Sequence, residues 1–375
     1  MTIYKTSEWV SLGHPDKVAD YISEYILDRL IEQDPTTRYG LEVQIKSQHV
    51  NLAGEVTSSA EDMSIANFAK WACEAIQEIG YNEKYQKKFG AANTIDGKYA
   101  VTDCSVFSQS PDIAKGVDEN GWGDQGIFFG YFCNETPEGQ GYEYQLAKDI
   151  GKKIYEKALS PNSVLGIDIK TQVTISVDQT REPVRLVEEV IIAVPMVFGK
   201  EKEGKKEVME ILKQFPDTYH KNIIINGTGQ YTKHGPVADA GTTGRKLVVD
   251  FYGSRSRVGG GSPWTKDGTK ADLSLNLLAY DLARDYFYEM QEMEAPIHHT
   301  EVELSCCIGR KEVLMQLTAY DDEGNPFHTI NDLKSIKHST LIKRYHLDKP
   351  IYAQLCRDGL FSIINSKNKT KEKKQ

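Results

Sequence analysis

Residues 13–56 read GHPDKVADYISEYILDRLIEQDPTTRYGLEVQIKSQHVNLAGEV, and the change of period inside this stretch decides the fold. Val18, Ile22, Ile26, Leu27, Leu30 and Ile31 recur at about 3.6 residues, the spacing of one helix face. Pro15 suits a first helical turn, where its missing N–H costs nothing. Gly13-His14-Pro15-Asp16 therefore stands at or just before a helix N-terminus. From Leu41 the period becomes two, with Leu41, Val43 and Ile45 on one side and Glu42, Gln44 and Lys46 on the other, as in a half-buried strand. A second strand is expected over His49 to Val56 and a second helix from Asp62 to Ile79, which completes a helix–strand–strand–helix unit.

The same order returns twice. Tyr142 to Leu159 reads as helix, Thr171 to Val177 and Val187 to Val194 as strands, and Lys205 to Phe215 as helix. Asp272 to Met290 reads as helix, Thr300 to Ile308 and Glu312 to Tyr320 as strands, and Asn331 to Lys337 as helix. The leading strands start roughly 130 residues apart, which points to three copies of one unit in an α+β chain. The expected divisions are 1–125, 126–250 and 251–362, exchanging segments, and then a disordered basic tail over 363–375.

Composition narrows the function. The 375 residues carry 45 basic and 54 acidic side chains, a net charge of −9, which argues against a nucleic-acid coat. The longest apolar run, Val190 to Phe198, is interrupted by Pro195 and falls well short of the about 20 residues a bilayer span needs. No apolar leader opens the chain, so a cytoplasmic protein is expected. The cysteines form no Cys-x-x-Cys pair, and free buried thiols are expected, with Cys306 and Cys307 on opposite faces of a strand.

Chemistry concentrates in a glycine-rich segment. Ten of the 30 glycines fall within residues 227–268. Over Gly227 to Asp272 the bases Lys233, Arg245, Lys246, Arg255, Arg257, Lys266 and Lys270 outnumber Asp239, Asp250, Asp267 and Asp272. Glycine lets backbone N–H groups approach an anion, so the segment reads as a polyphosphate site. Arg245 and Lys246 directly precede Leu247-Val248-Val249, read as a strand that would hold them rigidly. The run Gly199 to Lys206 nearly fits a phosphate-binding loop, but Lys206 stands where a magnesium-ligating hydroxyl is needed, and an exposed turn is the better reading. Asp124 sits in a tight turn, Asp168 and Lys170 lie two apart before a strand, and Glu42 and Glu55 lie on the first strand pair.

Gly13-His14-Pro15-Asp16-Lys17, Gly54-Glu55-Val56-Thr57, Gln109-Ser110-Pro111-Asp112-Ile113-Ala114, Gly123-Asp124-Gln125-Gly126, Gly241-Thr242-Thr243-Gly244-Arg245-Lys246 and Gly259-Gly260-Gly261 together resemble the S-adenosylmethionine synthase family. The resemblance runs in order from about residue 7 to Phe361. It implies three pseudo-threefold-related α/β subdomains interleaved into one body, and a homotetramer, a dimer of dimers with shared active sites. It also implies synthesis of S-adenosylmethionine from L-methionine and ATP with two Mg²⁺ and K⁺, followed by hydrolysis of the bound triphosphate.

Carried over by position, the resemblance makes His14, Lys170, Arg245, Lys246 and Lys266 catalytic. ATP would meet these and Asp168, Ile169, Gln230, Tyr231, Asp239 and Ser262. Methionine would meet Glu55, Gln109, Asp239 and Lys270. Asp16 and Asp272 would take Mg²⁺, Glu42 K⁺, and Asp124 would support the substrate end of the pocket. Gln109 to Asn120 matches the family's mobile loop. The chain departs from the family pattern at Leu12, Gly227, Gln230, Ser262-Pro263-Trp264 and Leu360. The competing readings are a non-catalytic regulatory homologue and an unrelated ATP-dependent kinase or ATPase built on Gly199 to Lys206.

Overall fold

The computed structural model describes residues 2–61, 63–98, 100–108, 121–178, 185–218 and 222–365. In chain order its elements are β1 (Thr2–Val10), α1 (Pro15–Ile31), β2 (Arg38–Lys46), β3 (His49–Thr57), α2 (Ile65–Ile79), α3 (Glu83–Phe89), β4 (Val101–Phe107) and β5 (Gly126–Cys133). There follow α4 (Tyr142–Leu159), β6 (Lys170–Asp178), β7 (Arg185–Ala193), α5 (Glu201–Leu212), β8 (Asn222–Ile225), β9 (Gly241–Thr242) and α6 (Leu247–Asp250). The last are α7 (Ala271–Glu292), β10 (His299–Cys306), β11 (Glu312–Tyr320), β12 (Pro326–Ser335), α8 (His338–Tyr345) and α9 (Tyr352–Asp358). Asp62, the expected start of the second helix, and residues 366–375 of the expected tail lie outside the described residues; 363–365, also expected as disordered tail, are folded instead, with Ile364 buried in the core.

The strands form three four-stranded sheets of one plan: β9-β2-β3-β4, β1-β6-β7-β8 and β5-β10-β11-β12. Each is built on an antiparallel hairpin, β2–β3, β6–β7 or β10–β11. Each hairpin's first strand is flanked by an antiparallel strand from elsewhere in the chain, β9, β1 or β5. One long helix packs on each sheet: α1 on β2, α4 on β1 and β6, and α7 on β5 and β10. The expected threefold repetition within an α+β fold is present.

The fourth strands explain one departure. β4 and β8 run parallel to β3 and β7, and a parallel neighbour needs a crossover, which α2–α3 and α5 supply. After β11 only residues 321–325 intervene before β12, so the chain turns straight back and pairs antiparallel. Asn331 to Ser335, expected as helix, is therefore strand, and the helix begins at His338. Leu247 to Val249, expected as strand, is the one-turn helix α6. The Gly199–Lys206 run is not an exposed turn: from Glu201 it is the start of α5, with Gly204 buried against Met196, and no phosphate-cradling loop forms.

The buried apolar side chains form one continuous cluster through all three units, with a small satellite around Tyr286, Met290 and Ala319. Leu12 and Leu360, two of the sequence's departures, are part of the large cluster. The six cysteines are free: Cys133, Cys306 and Cys356 are buried, Cys73 and Cys104 half-buried, and Cys307, just past the end of β10, exposed. Among the described residues no helix is long and apolar enough to cross a membrane.

Candidate active site

α1 opens on a structure suited to an anion. His14 caps the helix in extended conformation, its Nδ1 accepts the Asp16 N–H at 3.2 Å, and Pro15 follows. The remaining first-turn N–H groups and the helix dipole give this end partial positive charge. Two glycines bring distant segments against it. A Cβ on Gly13 would stand 2.3 Å from the Ile167 carbonyl oxygen, and one on Gly241 would stand 1.9 Å from the Pro15 carbonyl oxygen. Only glycine permits backbones to touch in this way.

The first contact delivers Asp168, Ile169 and Lys170. Buried Ile169 exchanges hydrogen bonds with Ser11: its N–H donates to Oγ and its carbonyl accepts the Ser11 N–H, both at 3.0 Å. Asp168 Oδ2 accepts the Tyr231 hydroxyl and the Gly235 N–H, both at 2.7 Å. Burial pushes the Asp168 carboxyl up to about 6, against the pull of those two donors. Lys170 opens β6 and pairs with Glu8 at 2.7 Å.

The second contact delivers Arg245 and Lys246. Buried Asp16 accepts the Thr242 N–H at 3.0 Å and Lys246 Nζ at 2.6 Å, with Arg245 Nε at 3.7 Å. Burial, then the Lys246 charge, push the His14 imidazole down to about 4, with Lys170 adding to the effect and Asp16 and Asp239 opposing it. Direct contacts thus bring His14, Asp16, Arg245 and Lys246 together.

A second group gathers where the glycine-rich segment meets β2 and α7. Glu42 accepts the Thr243 and Thr265 hydroxyls, the latter at 3.1 Å, with Lys266 Nζ at 3.8 Å. Lys266 bridges Gly40, which also faces Glu55 across β2–β3. Lys270 caps α7 and pairs with Asp267 at 3.3 Å. Asp272 lies directly against Gly261. Burial pushes its carboxyl up, Lys266 and Lys270 pull it down, and Asp124 pushes it further up. Among the described residues no side-chain hydrogen bond or ion pair joins this group to the one around His14.

Among the described residues, other expected site residues make no side-chain hydrogen bond to either group. Gln230 is exposed in a turn, its amide 3.4 Å from Thr232 Oγ1. Ser262 Oγ accepts the Trp264 N–H at 3.2 Å and touches no other expected site residue by hydrogen bond. Gln109 and the segment to Asn120 lie outside the described residues. Two of the seven bases are committed elsewhere: Arg255 is buried between Glu135 and Glu143, and Arg257 pairs with Glu301 and Glu303 over the Phe129 ring.

Sequence reading missed an acidic stripe on α1. Asp20, Glu24 and Asp28 lie four apart, on one helix face, and each accepts backbone N–H groups from far along the chain. Asp20 takes Gly244 at 2.9 Å, Glu24 takes Thr265 at 2.6 Å, and Asp28 takes Tyr352 and Ala353 at 2.9 Å. Burial pushes Asp20 and Asp28 up to about 6 and Glu24 well above the usual carboxylate range. The stripe anchors the glycine-rich segment on the helix. Between Asp20 and Asp250, Lys17 is ion-paired at 3.0 and 2.7 Å and covered by Trp264 at 4.4 Å. The Trp264 indole N–H donates to Asp250 at 2.7 Å, so this departure from the family pattern is absorbed by packing. His234, also missed, is buried beside Tyr231, bonded to Tyr85 Oη at 2.6 Å and the Thr232 carbonyl at 2.7 Å.

For a metal the donors are sparse but of the right kind. Among the described residues no group of three or more His, Cys, Asp or Glu side chains forms a cage. The Asp272 carboxylate receives no hydrogen bond from them. A carboxylate beside lysine and arginine side chains fits Mg²⁺, which takes one or two carboxylates and completes its shell from phosphate and water.

Family models for the N-terminal, central and C-terminal domains of S-adenosylmethionine synthetase match residues 2–105, 119–231 and 233–372. The chain belongs to the S-adenosylmethionine synthetase family. It is 33% identical to the S-adenosylmethionine synthase of Acholeplasma laidlawii (strain PG-8A), over 98% of this chain and 96% of that protein. It is 32% identical to the S-adenosylmethionine synthase of Mycolicibacterium gilvum (strain PYR-GCK), over 95% and 93%. The solved structure of an unusual S-adenosylmethionine synthetase from Campylobacter jejuni superposes with a TM-score of 0.83 at 29% identity, covering 95% of this chain and 94% of that one. In synthetase terms, Asp16 belongs to the N-terminal domain and Lys246 to the C-terminal domain. Their 2.6 Å contact is an interdomain one.

Proposed function

We propose that the chain, an enzyme of this family, makes S-adenosylmethionine from L-methionine and ATP. The methionine sulfur attacks C5′, the C5′–O bond breaks, and the triphosphate leaves and is hydrolysed in place to pyrophosphate and phosphate. The observation that carries this reading is the convergence of Arg245 and Lys246 on Asp16, beside His14 at the α1 N-terminus. Sulfur is a soft nucleophile that needs little help from a base. The difficulty lies in a leaving group of about four negative charges, so catalysis rests on positioning and electrostatic stabilisation. Nδ1 of His14 accepts the Asp16 N–H, which puts the proton of the neutral ring on Nε2. That N–H is the donor we assign to the leaving oxygen.

Asp16 and Asp272 are the residues to hold Mg²⁺, and Glu42 the one to hold K⁺; bound Mg²⁺ would neutralise triphosphate charge. Asp168, Ile169, Gln230, Tyr231, Asp239, Ser262 and Lys266 are assigned to ATP, Glu55, Gln109, Asp239 and Lys270 to methionine, and Asp124 to support of the pocket. Sites shared between paired subunits, in a cytoplasmic homotetramer, belong to the same reading and rest on the resemblance to the family. The test is to incubate the purified protein with ATP, methionine, Mg²⁺ and K⁺ and to follow S-adenosylmethionine. Well-folded protein that forms none overturns the reading. Lys246→Met is expected to lower kcat by about 10²–10³-fold, the range for losing one transition-state donor, and, because it strips buried Asp16 of its ion-pair partner, to lower the melting temperature as well.

A further inference from the structure

We infer that the cleft between α4 and the C-terminal turn is a second ligand site, built for a small zwitterion of the amino-acid type. The cleft holds a cavity of about 300 Å³, with α4 on one side and residues from Asp358 to Asn365 on the other. That is the lower end of the range for small-molecule sites and suits a ligand of amino-acid to dipeptide size.

One of its charged groups is unmatched within the protein. Among the described residues the Lys148 ammonium, which lines the cavity beside Gly359, makes no hydrogen bond or ion pair; its one partner is the Tyr144 ring at 6.0 Å. A ligand carboxylate would satisfy Lys148.

The remaining lining excludes a simple anion. Glu138 and Asp149 face the same space; Asp149 accepts only the Gln145 amide N–H, at 2.9 Å. Lys152 is already committed, at 3.3 Å, to the Asp358 carbonyl. A pure anion would meet the carboxylates unshielded, and a pure cation would meet Lys148. A molecule carrying both charges meets a partner for each. Burial, and then the Lys152 charge, push Lys148 down to about 8, so a ligand carboxylate would restore solvation that the fold has removed.

The test is calorimetric titration of the full-length protein, without ATP, using single L-amino acids other than methionine, with acetate and ethylammonium as half-ligands. At least one amino acid is expected to bind once per chain, and neither half-ligand is expected to bind. Lys148→Met should weaken that binding about tenfold or more, the worth of one charge-assisted hydrogen bond, without changing turnover of ATP and methionine. In the wild-type protein the same amino acid should slow acetylation of Lys148 by acetic anhydride, read by mass spectrometry. This second measurement decides the matter if the variant fails to fold. Absence of binding at millimolar concentration overturns the proposal. So does binding with unchanged Lys148 acetylation, or binding of a half-ligand as tight as that of the amino acid. None of these outcomes bears on the synthase reading, which is tested by product formation.

Discussion

The state of His14 is set by its neighbours: Asp16 N–H occupies Nδ1, and burial beside Lys246 pushes the ring down to about 4. A neutral donor at neutral pH is the result. The rate of S-adenosylmethionine formation should accordingly show no inflection from His14 between about pH 5 and 8, where an ordinary histidine titrates. His14→Asn should slow synthesis more than hydrolysis of added triphosphate, because the ring is assigned to C5′–O cleavage; equal losses in both assays would refute that assignment. Asp168 is the opposite case. Its folded pKa of about 6 exceeds the ordinary 3.8, so the stability tied to its proton is complete below about pH 3.8 and lost as pH rises through about 6. Asp168→Asn keeps an acceptor for Tyr231 and Gly235. It should raise the melting temperature at about pH 7.5 but not near pH 4, with a gain of at most about 3 kcal/mol. At this scale the sequence is legible where residue types are unusual together, as in His14-Pro15-Asp16. It is silent about Asp20, Glu24 and Asp28, because a polar residue every fourth position looks like a solvated face until the segments that bury it are known.

Elements were legible where one face is apolar and the other wet. α4 spans Tyr142–Leu159 and β11 spans Glu312–Tyr320, both as their periods require. β12 was not legible: it is an edge strand exposed on both sides, so no alternation marks it, and its direction follows from the short turn before it. α6 defeated the β-branched pair Val248-Val249 because packing, not propensity, fixes the chain there. The element that positions Arg245 and Lys246 is β9, two residues long and held against α1 by the absence of a side chain at Gly241. Gly241→Ala should lift β9 away from Pro15. It should lower stability by about 1–3 kcal/mol, as overpacking does, and raise KM for ATP; a normal KM would show that the bases proposed to meet phosphate do not depend on this contact.

Across the whole molecule, Arg255 clamps the end of β5 to the start of α4. It makes bonds of 2.9 and 2.7 Å to Glu135 and two of 2.6 Å to Glu143. Burial works against the Glu135 charge, yet the His298 hydrogen bond and the Arg255 guanidinium hold this carboxyl far below its usual range. Arg255→Met strands buried Glu143, while Glu135 keeps His298, Arg185 and the Tyr142 N–H, and should cost about 3–5 kcal/mol in urea unfolding; adding Glu143→Gln should recover part of that loss. The threefold repetition was legible in the spacing of hairpins. Exchange between the units was expected, but not which strands take part, because the strand that borders each hairpin lies far from it in the chain. That exchange has a consequence for synthesis on the ribosome. β1 waits for β6 to emerge, the hairpin of β2 and β3 waits for β9, and β5 stays without a partner until His299 and the residues after it are made. The nascent chain therefore carries unpaired strand edges through most of its translation. A holding chaperone, or a delay in collapse until the last unit arrives, is part of what this topology demands.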